Sequence, residues 1–145
     1  DCDVRIINFG MSNIMQLHSS QAESPKFDER WYRSPEYLGN GRSKMELNNH
    51  KLDSWGVGCI LFEMILKKPI FTGSNYLDQF NQIYNTLGTP NNLEWIKSTE
   101  CKIWHESLDV RPKKDIKEMI KGKFTEEESQ DLQHCVDLLE ALLKI

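Results

Sequence analysis

The sequence predicts a mainly helical domain with one short strand at its start. Three observations carry the helical part. Trp55, Val57, Cys59, Ile60, Leu61, Phe62, Met64, Ile65 and Leu66 cover nearly every face of one helix, the pattern of a buried helix. Leu77, Phe80, Ile83, Tyr84 and Leu87 recur at helical spacing. Thr125-x-x-Glu128 is a capping box ahead of Leu132, Val136, Leu139 and Leu143, which share one helix face. The strand rests on Val4, Ile6 and Ile7, β-branched residues clustered just before Gly10.

The elements between follow from local signals. The polar stretch from Ser12 to Glu29, with Pro25, has no sustained period and reads as a long loop, a place where function concentrates. Residues 37–51 carry Gly39 and Gly41 and read mostly as loop. Lys67, Lys68 and Pro69 end the central helix. Ser74 is a suitable N-cap for the next one, and Gly88 can take the left-handed conformation that closes it. Thr89-Pro90 has the form of a cap followed by proline at the first helical position. Residues 94–123 are amphipathic but irregular, so short helices are expected there.

Composition narrows the function classes. A chain of 145 residues is one domain or one lobe and can bury a single core. The net charge of −4 and scattered basic residues argue against nucleic acid as a partner, because sequence-blind binding needs a basic face. No apolar run approaches membrane-spanning length, so no membrane partner is expected. Cys2, Cys59, Cys101 and Cys135 are far apart and read as free thiols of a reducing compartment, cytoplasmic or nuclear. Cys59 is expected in the core. His18, His50, His105 and His134 lack ligand spacing, which disfavours a zinc site.

Three motifs stand in one order: Asn8-Phe9-Gly10, Arg30-Trp31-Tyr32-Arg33-Ser34-Pro35-Glu36, and Asp53-Ser54-Trp55-Gly56-Val57-Gly58. Together they resemble the second half of a eukaryotic protein kinase catalytic domain, of the group that holds the MAP kinases and cyclin-dependent kinases. Residues 73–90 and the opening Asp1 to Ile6 narrow the resemblance to MAP kinases. The resemblance implies the larger, C-terminal lobe of the protein-kinase-like α+β fold, truncated at both ends. It makes residues 1–145 a partial kinase domain, 11–36 the activation segment and 91–123 a MAP-kinase-like insert.

The resemblance also assigns roles. The parent reaction moves the ATP γ-phosphate to a Ser or Thr hydroxyl of proline-directed protein substrates, with ATP and Mg²⁺ as cofactors. Asn8, Phe9 and Gly10 would lie at the cofactor, with Asn8 at the Mg²⁺ position. An amide there can ligate a hard cation but lacks the carboxylate's charge. Phe9 would pack into the core, and Gly10 would give the backbone freedom to turn. Arg30, Trp31, Tyr32 and Arg33 would face the substrate. Tyr32 and Arg33 would shape a pocket favouring proline after the target residue, and the arginines can hold a phosphorylated loop residue. Taken by themselves, two arginines and two aromatics also make a surface stacking cluster.

Glu36, Asp53, Trp55 and Gly58 would be structural. Glu36 is expected to lack the arginine that pairs with it in the family. Asp53 would accept backbone hydrogen bonds from the catalytic loop, or simply cap its helix. Tyr37, Leu38, Tyr76, Leu77 and Phe80 would form an apolar groove for short peptides, with core packing the rival reading for Leu77 and Phe80. Protein or peptide partners follow.

Departures bear on activity. No tyrosine stands near Ser24-Pro25-Lys26, where a Thr-x-Tyr activation motif would fall, and Glu29 replaces the usual threonine. The glycine-rich loop, the strand lysine, its partner glutamate and the His-Arg-Asp loop are not in the sequence. His50-Lys51-Leu52-Asp53 is no substitute, because Asp53 belongs to the helix motif. No catalytic residue is therefore assigned, and the chain alone is expected to be inactive and to need no cofactor of its own. A pseudokinase-type binding module is the alternative. The central helix of the family packs on a preceding helix, so exposed apolar surface is expected here, with aggregation or pairing as its consequence.

Overall fold

The computed structural model describes residues 4–7, 9, 30–40 and 50–145. A 3₁₀ turn at Arg30–Tyr32 leads into α1, Pro35–Gly39. Then come α2, His50–Leu66, and α3, Tyr76–Leu87. Two short helices follow, α4 at Thr99–Glu106 and α5 at Ile116–Ile120, with a 3₁₀ turn at Lys121–Lys123. The last helix is α6, Ser129–Leu142. The described residues contain no strand. Residues 4–7, expected as one, are irregular, and Val4, Ile6 and Ile7 are exposed. A strand needs a neighbour to take its backbone hydrogen bonds, and no described segment pairs with this one.

The central helix α2 forms as expected but is not buried all round. Trp55, Gly58, Cys59 and Phe62 are buried, at i, i+3, i+4 and i+7, whereas Val57, Ile60 and Met64 are each more than half exposed. Burial follows neighbours, and among the described residues those of α2 lie on one side. There α6 comes so close that a Cβ on Gly58 would lie 2.9 Å from Leu142 Cβ and 2.8 Å from Leu143 Cδ2. Elsewhere on the buried side Trp55 stacks on Phe71 with ring centres 5.9 Å apart.

At α3 the N-cap is Asn75, one residue later than expected. Its side chain accepts from the Asp78 N–H at 2.9 Å, while the Ser74 N–H and hydroxyl donate to Asp78 Oδ2. Asn75 thus caps the Asp78 N–H, and Asp78 in turn holds Ser74 just outside the helix. Gly88 closes α3 with φ of +86°, as the sequence suggested, and its N–H donates to Tyr84 O. Thr89-Pro90 opens no helix. The Thr89 hydroxyl accepts from Arg111 N–H at 3.0 Å, and Thr89 N–H donates to Arg111 O at 3.0 Å. A side chain committed to that pairing cannot cap.

Phe80, Ile83 and Tyr84 of α3 are fully buried. Each such side chain contributes roughly 1.5–3 kcal/mol of burial free energy. Phe80 and Tyr84 enclose His105 of α4 together with Trp95 and Trp104, the ring centres lying 4.6 to 6.1 Å from the imidazole. Leu132, Val136, Leu139 and Leu143 of the final segment are buried, as are Ile116 and Ile120 of α5. Thr125 and Glu128 do pair, with Glu128 Oε2 accepting from Thr125 N–H at 2.8 Å and from the Thr125 hydroxyl at 3.0 Å. They do not form the expected capping box: the hydroxyl donates instead of accepting, α6 starts at Ser129, and its N-cap Glu128 makes no side-chain cap bond.

Candidate functional site

The turn Arg30 to Tyr32 is fastened on two flanks to the helical body. It is closed by Arg33 N–H donating to Arg30 O at 3.1 Å. Tyr32 donates from its hydroxyl to Glu63 Oε2 on α2 at 2.6 Å. That bond, followed by burial, pushes the Tyr32 phenol up to about 12. Ionised Tyr32 would lose a hydrogen bond to a carboxylate and gain a like charge beside it. On the other flank, Trp31 Nε1 and Arg30 Nη1 both donate to Gly73 O, at 3.2 and 3.3 Å. The Gly73 N–H donates to Gln79 Oε1 at 2.8 Å, and Gln79 Nε2 donates to Trp31 O at 3.3 Å.

Two cation–π stacks flank this turn. The Arg30 guanidinium lies 5.1 Å from the centre of the Tyr76 ring, and that of Arg33 lies 4.7 Å from Tyr37. Such stacks orient an arginine's planar fork and contribute about 0.5–1 kcal/mol each at exposed sites. Trp31 is 40% exposed and Tyr32 half-buried. The result is a fixed ledge of two arginines and two aromatics, suited to an extended peptide or an anionic group.

The five residues expected to form a peptide groove divide. Leu38 and Phe80 are buried in the core and offer no surface. Tyr76 and Leu77 are exposed on the first turn of α3, and Tyr37 is half-buried beneath Arg33. For Phe80 the core reading holds because its ring closes the aromatic group around His105.

Asn8 and Gly10 lie outside the described residues, as do Cys2, His18, the Ser24-Pro25-Lys26 stretch and Glu29. Phe9 is 66% exposed, so the core packing expected of it is not made; the buried cluster is built without it. Glu36 is half-buried, with Oε2 buried and without a hydrogen-bond partner among the described residues. Asp53 is exposed in the first turn of α2, where a carboxylate suits the positive end of the helix dipole. Gly56 and Gly58 sit inside α2 and form no phosphate loop. Cys59 is 1% exposed, and burial pushes its thiol up to about 12, which makes it an inert core residue. Among the described residues no three His, Cys, Asp or Glu side chains converge, so none of them is assigned to a cation. No described helix is long and apolar enough to cross a membrane.

Sequence reading missed Glu63 and Gln79. Glu63 had a signal: it is the lone charged residue in the apolar run from Trp55 to Leu66, where an unpaired carboxylate would be costly. Gln79 had none, because it stands among Asp78, Asn81 and Gln82 and resembles a solvated residue.

A model of the protein kinase domain family matches residues 1–145. Mitogen-activated protein kinase 13 of Mus musculus is 33% identical over 100% of this chain and 36% of that protein. Its counterpart in Homo sapiens is 32% identical over the same shares. Mitogen-activated protein kinase mpk-1 of Caenorhabditis elegans is 34% identical over 77% of this chain and 25% of that protein. The chain thus spans about a third of the length of the curated relatives it matches.

Proposed function

This chain belongs to the protein kinase domain family, and we propose that it is the substrate-facing part of a Ser/Thr kinase that phosphorylates residues followed by proline. One arrangement supports the reading: Arg30 to Arg33 held as a ledge between Glu63 of α2 and the Gly73–Gln79 segment. Phosphoryl transfer asks an enzyme mainly for positioning and charge stabilisation. A fixed ledge supplies the first of these for a peptide acceptor. In the whole enzyme, ATP with Mg²⁺ supplies the phosphoryl group and neutralises its charge. Residues 11–36 belong to this reading as the activation segment. Residues 91–123 belong to it as an insert, whose helices are α4 and α5. The partners are proteins or peptides within the cell.

The sequence of 145 residues carries neither the catalytic base nor the phosphate clamps of the family. The isolated chain is therefore proposed to bind peptide and to transfer nothing. A radiolabel assay with Mg²⁺-ATP and a Ser-Pro peptide tests this, and label above background on the peptide refutes it.

A second reading, a binding module without catalysis, is favoured by Asn8, an amide where the family carries a carboxylate. Glu29 and the missing tyrosine near Pro25 point the same way. Thermal shift of the full-length protein separates the two. Stabilisation by Mg²⁺-ATP marks the enzyme, and stabilisation by peptide alone marks the module.

A further inference from the structure

Gln79 lies in the first turn of α3 and is fully buried. A buried primary amide is costly unless its polar atoms are used. Both ends are used here, and on different segments. Oε1 accepts from Gly73 N–H at 2.8 Å, and Nε2 donates to Trp31 O at 3.3 Å. The Gly73 carbonyl accepts in turn from the Trp31 indole N–H at 3.2 Å. Trp31, Gly73 and Gln79 thus form a closed ring of three hydrogen bonds. Only glycine permits it, because a Cβ at position 73 would fall 2.4 Å from both Cα and N of Gln79. Glutamate would keep the acceptor and lose the donor, leucine would lose both, and asparagine is one methylene short.

The ring grips the backbone carbonyl of Trp31, one residue before Tyr32 and two before Arg33. Resting on the kinase reading above, we propose that Gln79 is a positioning residue. It fixes the orientation of Trp31, Tyr32 and Arg33 and thereby the preference for proline after the target Ser or Thr. It touches no substrate itself.

The test compares wild type with Gln79→Leu, Gln79→Glu and Leu132→Ala. The last destabilises α6 without touching the ledge and controls for general loss of stability. Two quantities are read: amide hydrogen exchange across residues 30–33, and the ratio of affinities for otherwise identical Ser-Pro and Ser-Ala peptides. Gln79→Leu is expected to speed exchange at 30–33 about 10-fold, the equivalent of one net hydrogen bond. It is expected to bring the Pro/Ala ratio to near one. Gln79→Glu should fall between, and Leu132→Ala should leave the ratio at its wild-type value.

Exchange at 30–33 that is no faster in Gln79→Leu or Gln79→Glu than in Leu132→Ala overturns the positioning role. If Gln79→Leu does not fold, the isosteric Gln79→Glu decides it alone. Faster exchange with an unchanged Pro/Ala ratio overturns the selectivity claim. A wild-type chain that makes no Pro/Ala distinction refutes the proline-directed reading, and the exchange arm still decides whether Gln79 sets the ledge.

Discussion

The same substitution, made two residues apart on α2, should move stability in opposite directions. Glycine inside a helix costs about 0.5–1 kcal/mol relative to alanine, through backbone entropy. At Gly56 the nearest atom to a new methyl is Tyr32 O at 3.7 Å, an ordinary contact. Gly56→Ala should therefore stabilise by about 0.5–1 kcal/mol. At Gly58 the methyl would lie 2.9 Å from Leu142 Cβ and 2.8 Å from Leu143 Cδ2. Carbon atoms settle near 3.5–4.0 Å, so α6 must retreat by roughly 0.7 Å. The Leu143 methyl can rotate away, but Leu142 Cβ is fixed to the helix backbone. Overpacking of this kind costs about 1–3 kcal/mol, enough to outweigh the propensity gain. The propensity term is common to both variants, so their difference isolates the steric cost. Urea unfolding followed by helical circular dichroism measures it. With a slope of about 2 kcal/mol per molar, the two midpoints should be roughly 0.5–1.5 M apart, Gly56→Ala the higher. A Gly58→Ala midpoint at or above that of Gly56→Ala would show that α2 and α6 do not meet at this position.

Three further outcomes are expected. Tyr32→Phe should cost about 1–3 kcal/mol in urea unfolding, because Glu63 loses its donor in a half-buried place. The wild-type contribution should be complete below pH 10, the phenol's ordinary value, and drain as pH rises through about 12; a Phe variant as stable as wild type at pH 7 would remove Tyr32 from the ledge. His105 is 3% exposed and enclosed by aromatic rings, with Nδ1 2.7 Å from Cys101 O, and burial holds its pKa below the ordinary 6.5. The unfolded chain then takes up the proton first, so stability is full above pH 6.5 and falls below it, by at most about 1.4 kcal/mol per pH unit. His105→Phe should flatten that fall between pH 6.5 and 5, and an unchanged profile would assign the acid sensitivity to another group. Ile60→Glu combined with Met64→Lys should reduce light scattering on concentration while shifting stability by less than about 0.5 kcal/mol, since both side chains are more than half exposed; a large loss of stability would mean that this face is covered.

Local chemistry was legible where one segment contains both halves of the interaction. Leu132, Val136, Leu139 and Leu143 define their own face, so α6 could be read without knowing what it packs against, even though Thr125 and Glu128, three residues apart, pair ahead of the helix without capping it. The glycine at the end of α3 is of the same kind. The misread elements depend on what lies beyond their own segment. Thr89 caps nothing because Arg111 takes its hydroxyl. Val4 to Ile7 have the composition of a strand but no described neighbour to pair with.

The sharpest case is α2. Its apolar residues surround the axis, so the sequence marks every face as fit for burial and none as preferred. Choice among faces is then made by contact alone. Gly58 admits the side chains of Leu142 and Leu143 at the end of α6, on the side where positions 55, 58, 59 and 62 are buried, which leaves Val57, Ile60 and Met64 outward. The ledge obeys the same logic. Arg30 to Arg33 announce themselves as a string, but what holds them is Glu63 on one helix and Gln79 on another. A motif recognised along the chain thus names the residues of the ledge. The residues that fix its shape are a half-buried carboxylate and a buried amide, and their purpose appears only when three distant segments are brought within hydrogen-bond reach.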